Sequence, residues 1–191
     1  MSQKEATAKK IILVTGPASS GKSEWAEKLA CQKMQPIVYV ATGKMDSNDE
    51  EWRSRIAKHI ARRPPEWETV LVPRELPAKI SSTPISHCLL IDSLGTWLAN
   101  LIDQEEERWQ KTKEEFLISL QKTSNEVILV GEETGWGIVP AYPLGRVFRD
   151  RLGSLIREVG AIADVVYLVT GGYALDLSVL GTPLEAGELG S

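Results

Sequence analysis

Apolar positions along this chain fall into short runs bounded by polar or glycine-rich stretches, and most are too brief for anything but a buried strand. The first, IILVT (Ile11 to Thr15), leads straight into GPASSGKS and then the helix-forming EWAEKLACQKM. A second run, PIVYVAT, ends at Thr42. The acidic DSNDEE that follows suits a helix N-terminus. Pro64 and Pro65 end the helix it begins, because a residue before proline avoids the α region. Further along, ETVLVP reads as a weak extended piece, HCLLID as a buried strand and the stretch from about Gly95 to Asp103 as a helix. Glu105 to Lys122, rich in Glu and Lys, predicts an exposed amphipathic helix, and EVILVG a strand. The Gly- and Pro-rich ETGWGIVPAYPLG predicts a loop before the helical RVFRDRLGSLIREVGAIA. The last strand, DVVYLVT, runs into GGYALDLSVLG.

Short apolar strands alternating with helices predict an α/β fold, a mainly parallel sheet with helices on both faces. Ligands of such sheets sit at the carboxyl ends of the strands. Gly16, Thr42, Asp92, Glu132 and Gly171 are expected to gather along that edge.

Charge and composition narrow the picture. The net charge of −4 leaves no general basic field for a nucleic-acid backbone, so any cationic site must be local. No apolar run approaches the length of a membrane span, and MSQKEATAKK lacks the apolar stretch of a signal peptide. Cys31 and Cys88 form no CxxC pair and read as buried thiols in a reducing compartment. The expected location is the cytoplasm. His87, just before a strand, reads as a loop or strand-end residue.

The segment Gly16, Pro17, Ala18, Ser19, Ser20, Gly21, Lys22, Ser23 matches the phosphate-binding pattern G-x-x-x-x-G-K-[ST], with a strand before it and a helix after it. The chemistry explains the spacing: backbone N–H groups of a glycine-flanked loop wrap a phosphate at the positive end of the next helix. Lys22 then adds a charge on the β- and γ-phosphates, and the Ser23 hydroxyl can ligate Mg²⁺. Asp92 closes CLLID at a strand's carboxyl end, where a carboxylate suits Mg²⁺, directly or through water. The expected architecture is thus P-loop NTPase-type: one nucleotide-binding domain over residues 1–181, with residues 182–191 a flexible tail. No NKxD-like guanine-reading motif occurs, so the residues do not choose the base.

One stretch is left over. In RIAKHIARRPPEW, Arg55, His59, Arg62 and Arg63 fall at i, i+4, i+7 and i+8, one face of a helix. A solvated basic face near a helix C-terminus is one reading, a reactive imidazole among guanidinium groups the other. Taken alone, these features also leave open a P-loop kinase of another small hydroxylated metabolite, or a non-catalytic nucleotide-binding module.

GPASSGKSEWAEKLA, YVATG, RIAKHIARRPPEW, LLIDSLGTWLANL, EETGWGIVP and RVFRDRLG, in this order and spacing, resemble one family. It is the bifunctional adenosylcobinamide kinase/adenosylcobinamide-phosphate guanylyltransferase family of cobalamin biosynthesis. The resemblance implies phosphorylation of the corrinoid substrate adenosylcobinamide by a nucleoside triphosphate, followed by transfer of GMP from GTP to give adenosylcobinamide-GDP. It implies His59 as the residue that becomes guanylylated, with Lys22 and Glu133 also catalytic. It maps nucleotide contacts (ATP or GTP) onto Gly16 to Ser23, onto Ala41, Thr42 and Gly43, onto Arg55, Ile60, Ala61, Arg62 and Arg63, and onto Asp92. A homo-oligomer, a trimer with sites near subunit boundaries, is also implied. Trp97, Trp109 and Trp136 are candidate contacts there, although core burial is the commoner fate of tryptophan. The chain departs from the family's usual pattern at Pro17, Ser19, Leu71, Ala141, Tyr142, Ile156 and Glu132, where an asparagine is usual. His59, Lys22, Ser23, Asp92, Glu133 and the GIVP core are kept.

Overall fold

Alternation along the strands decides the layers. In β1 (Ile11–Gly16), Ile11 and Leu13 face one side of the sheet while Ile12 and Val14 face the other, and all four are buried. A strand apolar on both sides needs cover on both sides. The computed structural model describes residues 10–44 and 63–184 and shows this cover in place.

After β1 come α1 (Lys22–Cys31), β2 (Ile37–Ala41), β3 (Glu68–Leu71), α2 (Leu76–Ser82), β4 (Cys88–Asp92) and α3 (Leu94–Ala99). The chain continues through α4 (Glu106–Lys122), β5 (Glu126–Glu132), α5 (Pro143–Ile162), β6 (Val165–Thr170), β7 (Tyr173–Asp176) and α6 (Leu177–Leu180). The sheet runs β3-β2-β4-β5-β1-β6-β7, parallel throughout except for the antiparallel β6–β7 pair. Helices α2 to α5 cover one face, with Ile80, Trp97, Phe116 and Leu155 packed over Leu13, Val40, Ile91 and Leu129. The other face is covered, among the described residues, by α1, whose small Ala26 and Ala30 sit one turn apart and let it lie close to the strands.

Several local outcomes differ from the pattern-based expectations. The helix expected to reach Asp103 stops at Ala99. Asn100 turns its side-chain amide onto the Thr42 and Pro73 carbonyls, and tight i→i+3 bonds at Asn100, Leu101 and Gln104 replace helical ones. Cys31, expected buried, is exposed at the end of α1, and only Cys88 is buried, its thiol pushed up to about 12 by desolvation. Trp97 and Trp109 are core residues, at 0% and 1% exposure, so neither is free for a subunit boundary, whereas Trp136 is 58% exposed. Three elements went unread, the short α6 among them. Leu76 and Ile80, one turn apart behind Pro77, make α2. Gly171 and Gly172, both at positive φ, close the β6–β7 hairpin, a diglycine turn signal.

Trp97 ties the helical layer together. Its ring lies against Trp109 and Phe116, and its indole N–H donates to the Arg74 carbonyl at 2.8 Å. Trp97→Ala is therefore expected to lower the unfolding free energy by about 3–5 kcal/mol. Urea titration checks this, and a loss below about 1 kcal/mol would contradict the core placement.

Candidate nucleotide-binding site

The loop between β1 and α1 is shaped by close approach and by unusual backbone. A side chain at Gly16 would put its Cβ 2.3 Å from the Val169 carbonyl oxygen in β6, so only glycine lets β1 end so tightly against its neighbour. Ser19 and Gly21 take positive φ values of 59° and 90°, which curl the loop back over the N-terminus of α1. Lys22 is the first residue of that helix and is largely buried, its Nζ donating to the Pro17 carbonyl at 3.1 Å inside the curl. Ser23 follows, part-buried, while Ala18 is exposed and Ser20 closes the curl through its N–H to the Pro17 carbonyl. Helix α1 points its positive end into this loop, which favours anions.

Three carboxylates end the central strands. Gly16 pairs in register with Glu132, and Ala41 with Asp92, while Asp92 is level with Val130, so β1 and β5 run two residues beyond β2 and β4 at the same edge. Glu132 is buried: Ser93 donates its hydroxyl to it and Gly95 its N–H, the latter at 2.7 Å. Burial pushes its carboxyl above the ordinary range, against the pull of those two hydrogen bonds and of Lys22, and Asp92 pushes the same way as burial. Lys22, Asp92 and Glu132 therefore share one electrostatic neighbourhood. Glu133 accepts from the Thr15 hydroxyl at 2.7 Å, and its own N–H donates to the Gly16 carbonyl.

Asp92 is held from the side by β2. Tyr39 donates its hydroxyl to Oδ2 at 2.7 Å, and burial, with the Asp92 charge, keeps that phenol protonated. The Arg63 guanidinium lies 3.4 Å from the Tyr39 ring centroid, and Trp67 stacks on the same ring. Arg63 itself sits in a bend, so the fourth member of the expected cationic helix face is turned onto the sheet instead. Thr42, an expected nucleotide contact between Ala41 and Gly43, acts as a clasp: it is buried, its hydroxyl donates to the Ser93 carbonyl, and it accepts the Ser93 N–H. Arg55, His59, Ile60, Ala61 and Arg62 lie outside the described residues. Tyr39, Ser93 and Gly95 went unread as site residues, and only Ser93, directly after a strand and before a helix, carried a local signal as an N-cap.

The donor set suits Mg²⁺. Ser23 and Asp92 offer hard oxygens, and Tyr39 occupies one carboxylate oxygen of Asp92 while the other stays available. Among the described residues no group of three or more His, Cys, Asp or Glu forms a protein cage.

A mainly parallel sheet with this loop at the end of its central strand defines a P-loop NTPase-type α/β protein. A Pyrococcus horikoshii OT3 protein superimposes with a TM-score of 0.55 at 6% identity, covering 95% of this chain and 94% of that one. A type III secretion system ATPase does so at 0.50 and 10% identity, over 86% of this chain and 52% of that one. These likenesses concern the fold alone. Residues 12–177 match the family model described as cobinamide kinase / cobinamide phosphate guanyltransferase, and the chain belongs to this family of bifunctional enzymes. It is 36% identical over 174 residues to the bifunctional adenosylcobalamin biosynthesis protein CobP of Pseudomonas aeruginosa, covering 90% of this chain and 98% of that protein. It is 32% identical over 182 residues to CobU, of the same description, from Salmonella typhimurium, covering 87% and 99%.

The buried Glu132 gives a signed pH test. Because its carboxyl is raised in the folded state, the ionised form weakens folding above the folded pKa, and the effect vanishes below the ordinary glutamate range. Glu132→Gln can still accept from Gly95 and donate to Ser93. The variant is expected to be more stable than the parent at neutral pH, with the gap closing as pH falls from the raised folded pKa to the ordinary glutamate range. Melting curves across pH check the sign, and a gap that widens in acid would reverse the assignment.

Proposed function

We propose that this chain phosphorylates adenosylcobinamide with a nucleoside triphosphate and then, through a guanylylated His59, transfers GMP from GTP to the phosphorylated product. The observation that carries this reading is the shared neighbourhood of Lys22, Asp92 and Glu132 at the end of β1, β4 and β5, with Arg63 stacked beside it on Tyr39. His59 precedes Arg63 by four residues in the sequence, and Arg63 is the described residue that links that segment to the site.

In the kinase step the acceptor hydroxyl oxygen bonds to the γ-phosphorus, the β–γ bridging P–O bond breaks and the diphosphate leaves. Lys22 neutralises charge on the transferred group, and Glu133 takes the hydroxyl proton, its Oε1 steadied by Thr15. Ser23 and Asp92 would hold Mg²⁺, which when bound would offset the triphosphate charge. In the second step a neutral His59 nitrogen bonds to the α-phosphorus of GTP, the α–β P–O bond breaks and pyrophosphate leaves. The acceptor's phosphate oxygen then attacks the same phosphorus, the N–P bond breaks and the imidazole is returned neutral. Arg55 and Arg62, close to His59 in the sequence, supply guanidinium charge for the departing pyrophosphate. Exposed apolar side chains at Trp136, Ile138, Val139 and Tyr142 support the expected homo-oligomer, since such a run is poorly tolerated by water.

Two experiments test this. Incubation with GTP labelled at the α-phosphate is expected to label the parent protein, in acid-labile and base-stable form, and to leave His59→Asn unlabelled with its kinase step largely kept. Label retained on the folded variant would refute the histidine. Lys22→Ala is expected to weaken triphosphate binding by about 1.5–3 kcal/mol and to abolish kinase turnover. Equal affinity in a nucleotide titration would refute the loop's role.

A further inference from the structure

On the α5 face of the sheet, beside the end of β5, lies a groove of ≈ 390 Å³ that neither the loop nor the expected nucleotide contacts account for. Its walls are Glu132 to Gly135 on one side and Arg149, Gly153 and Arg157 on the other. These three α5 residues fall at i, i+4 and i+8, one stripe of the helix. A Cβ at Gly153 would meet nothing within 4 Å, so the glycine leaves an open floor between the two arginines.

What this groove keeps unengaged is chiefly hydrogen-bond donors. Of the arginines along α5, Arg146 donates to the Pro140 and Ala141 carbonyls, and Arg151 is paired with Glu106. Arg149 and Arg157 have no hydrogen-bond or ion-pair partner among the described residues. The two glutamates do not answer them, because Glu132 is turned to Ser93 and Gly95, and Glu133 to Thr15. Asp150 lines the same groove but makes no ion pair with either arginine. The Thr134 hydroxyl, on the opposite wall, is buried without a partner.

We propose that this groove receives the phosphate of the phosphorylated acceptor in the second reaction, with Arg149 and Arg157 as the clamp that distinguishes that acceptor from its unphosphorylated form. Guanidinium forks match phosphate oxygens bidentately. The nucleotide's phosphates already have a cradle at the start of α1, on the other face of the sheet. The groove lies on the α5 side of β5, so it stands apart from that cradle while sharing Glu132 and Glu133 with the same strand end.

The inference rests on the reading of the second step above, and its test is built to fail separately. Equilibrium titrations of the parent, Arg149→Gln, Arg157→Gln and the double variant would use adenosylcobinamide, its phosphate, and GTP, with melting curves to confirm folding. Loss of a charge-assisted phosphate contact is expected to weaken the phosphorylated acceptor about tenfold or more per arginine, with both other ligands within about twofold. Arg149→Lys should restore part of the loss, since it keeps charge without the fork. In steady state the same variants should raise KM for the phosphorylated acceptor in guanylyl transfer and leave labelling of the protein by GTP intact. Equal weakening of both acceptors would make the groove a seat for the corrinoid body, and weakened GTP would give the arginines to the nucleotide. Either result, or no change at all, overturns the proposal. Failure of the parent to be labelled by GTP would instead sink the guanylyl reading, while the binding contrast between the two acceptors would still decide the groove.

Discussion

The register of three buried parallel strands sets the position of the carboxylates at the nucleotide site. Leu13 pairs with Leu129 and Ile91 with the same residue from the other side, so β1, β5 and β4 advance in step. Each is apolar on both faces, and a slip by one residue would turn its whole side-chain set over, which the two-sided core resists. Because that register is fixed, Gly16 and Glu132 end level with each other and Asp92 two residues behind them at the same edge, with little freedom to move. The loop's curl and the carboxylates' spacing follow from hydrophobic burial elsewhere in the sheet, not from attractions among the polar groups themselves.

Polar contacts then refine what the strands deliver. A buried carboxylate such as Glu132 is an expense that folding tolerates only with partners, and Ser93 and Gly95 supply two. Gly95 has to be glycine for this, since a Cβ there would stand 2.3 Å from a Glu132 oxygen. Thr42 closes the Ser93 N–H and carbonyl that the end of β4 would otherwise leave open, while the Ser93 hydroxyl ties β4 to β5 through the Glu132 carboxylate.

The strands that carry the site were readable because each is a local apolar run with a polar or glycine stop, as in IILVT before GPASSGKS or CLLID before Ser93. The loop was readable because its chemistry is written in consecutive residues. Tyr39 was not, because its role comes from an aspartate far along the chain that β2–β4 pairing brings beside it. Arg63 was expected on a helical stripe with Arg55 and Arg62, yet its seat over Tyr39 depends on a ring that only the folded sheet presents. Likewise, nothing in EWAEKLACQKM distinguishes an exposed Cys31 from a buried one until α1 is laid on the sheet with Ala26 and Ala30 inward. Local pattern therefore reached the phosphate cradle, while cross-strand geometry held back the residues that brace it.

Thr42 and Arg63 also mark the two ends of the span from Gly43 to Arg62. One end is clasped to Ser93, and the other is stacked on Tyr39 within the same strand, β2. Tyr39 and Thr42 lie three residues apart, so both anchors draw on one short stretch of β2 and its exit. A change that shifts β2 along β4 would therefore carry the two anchors together instead of moving one against the other.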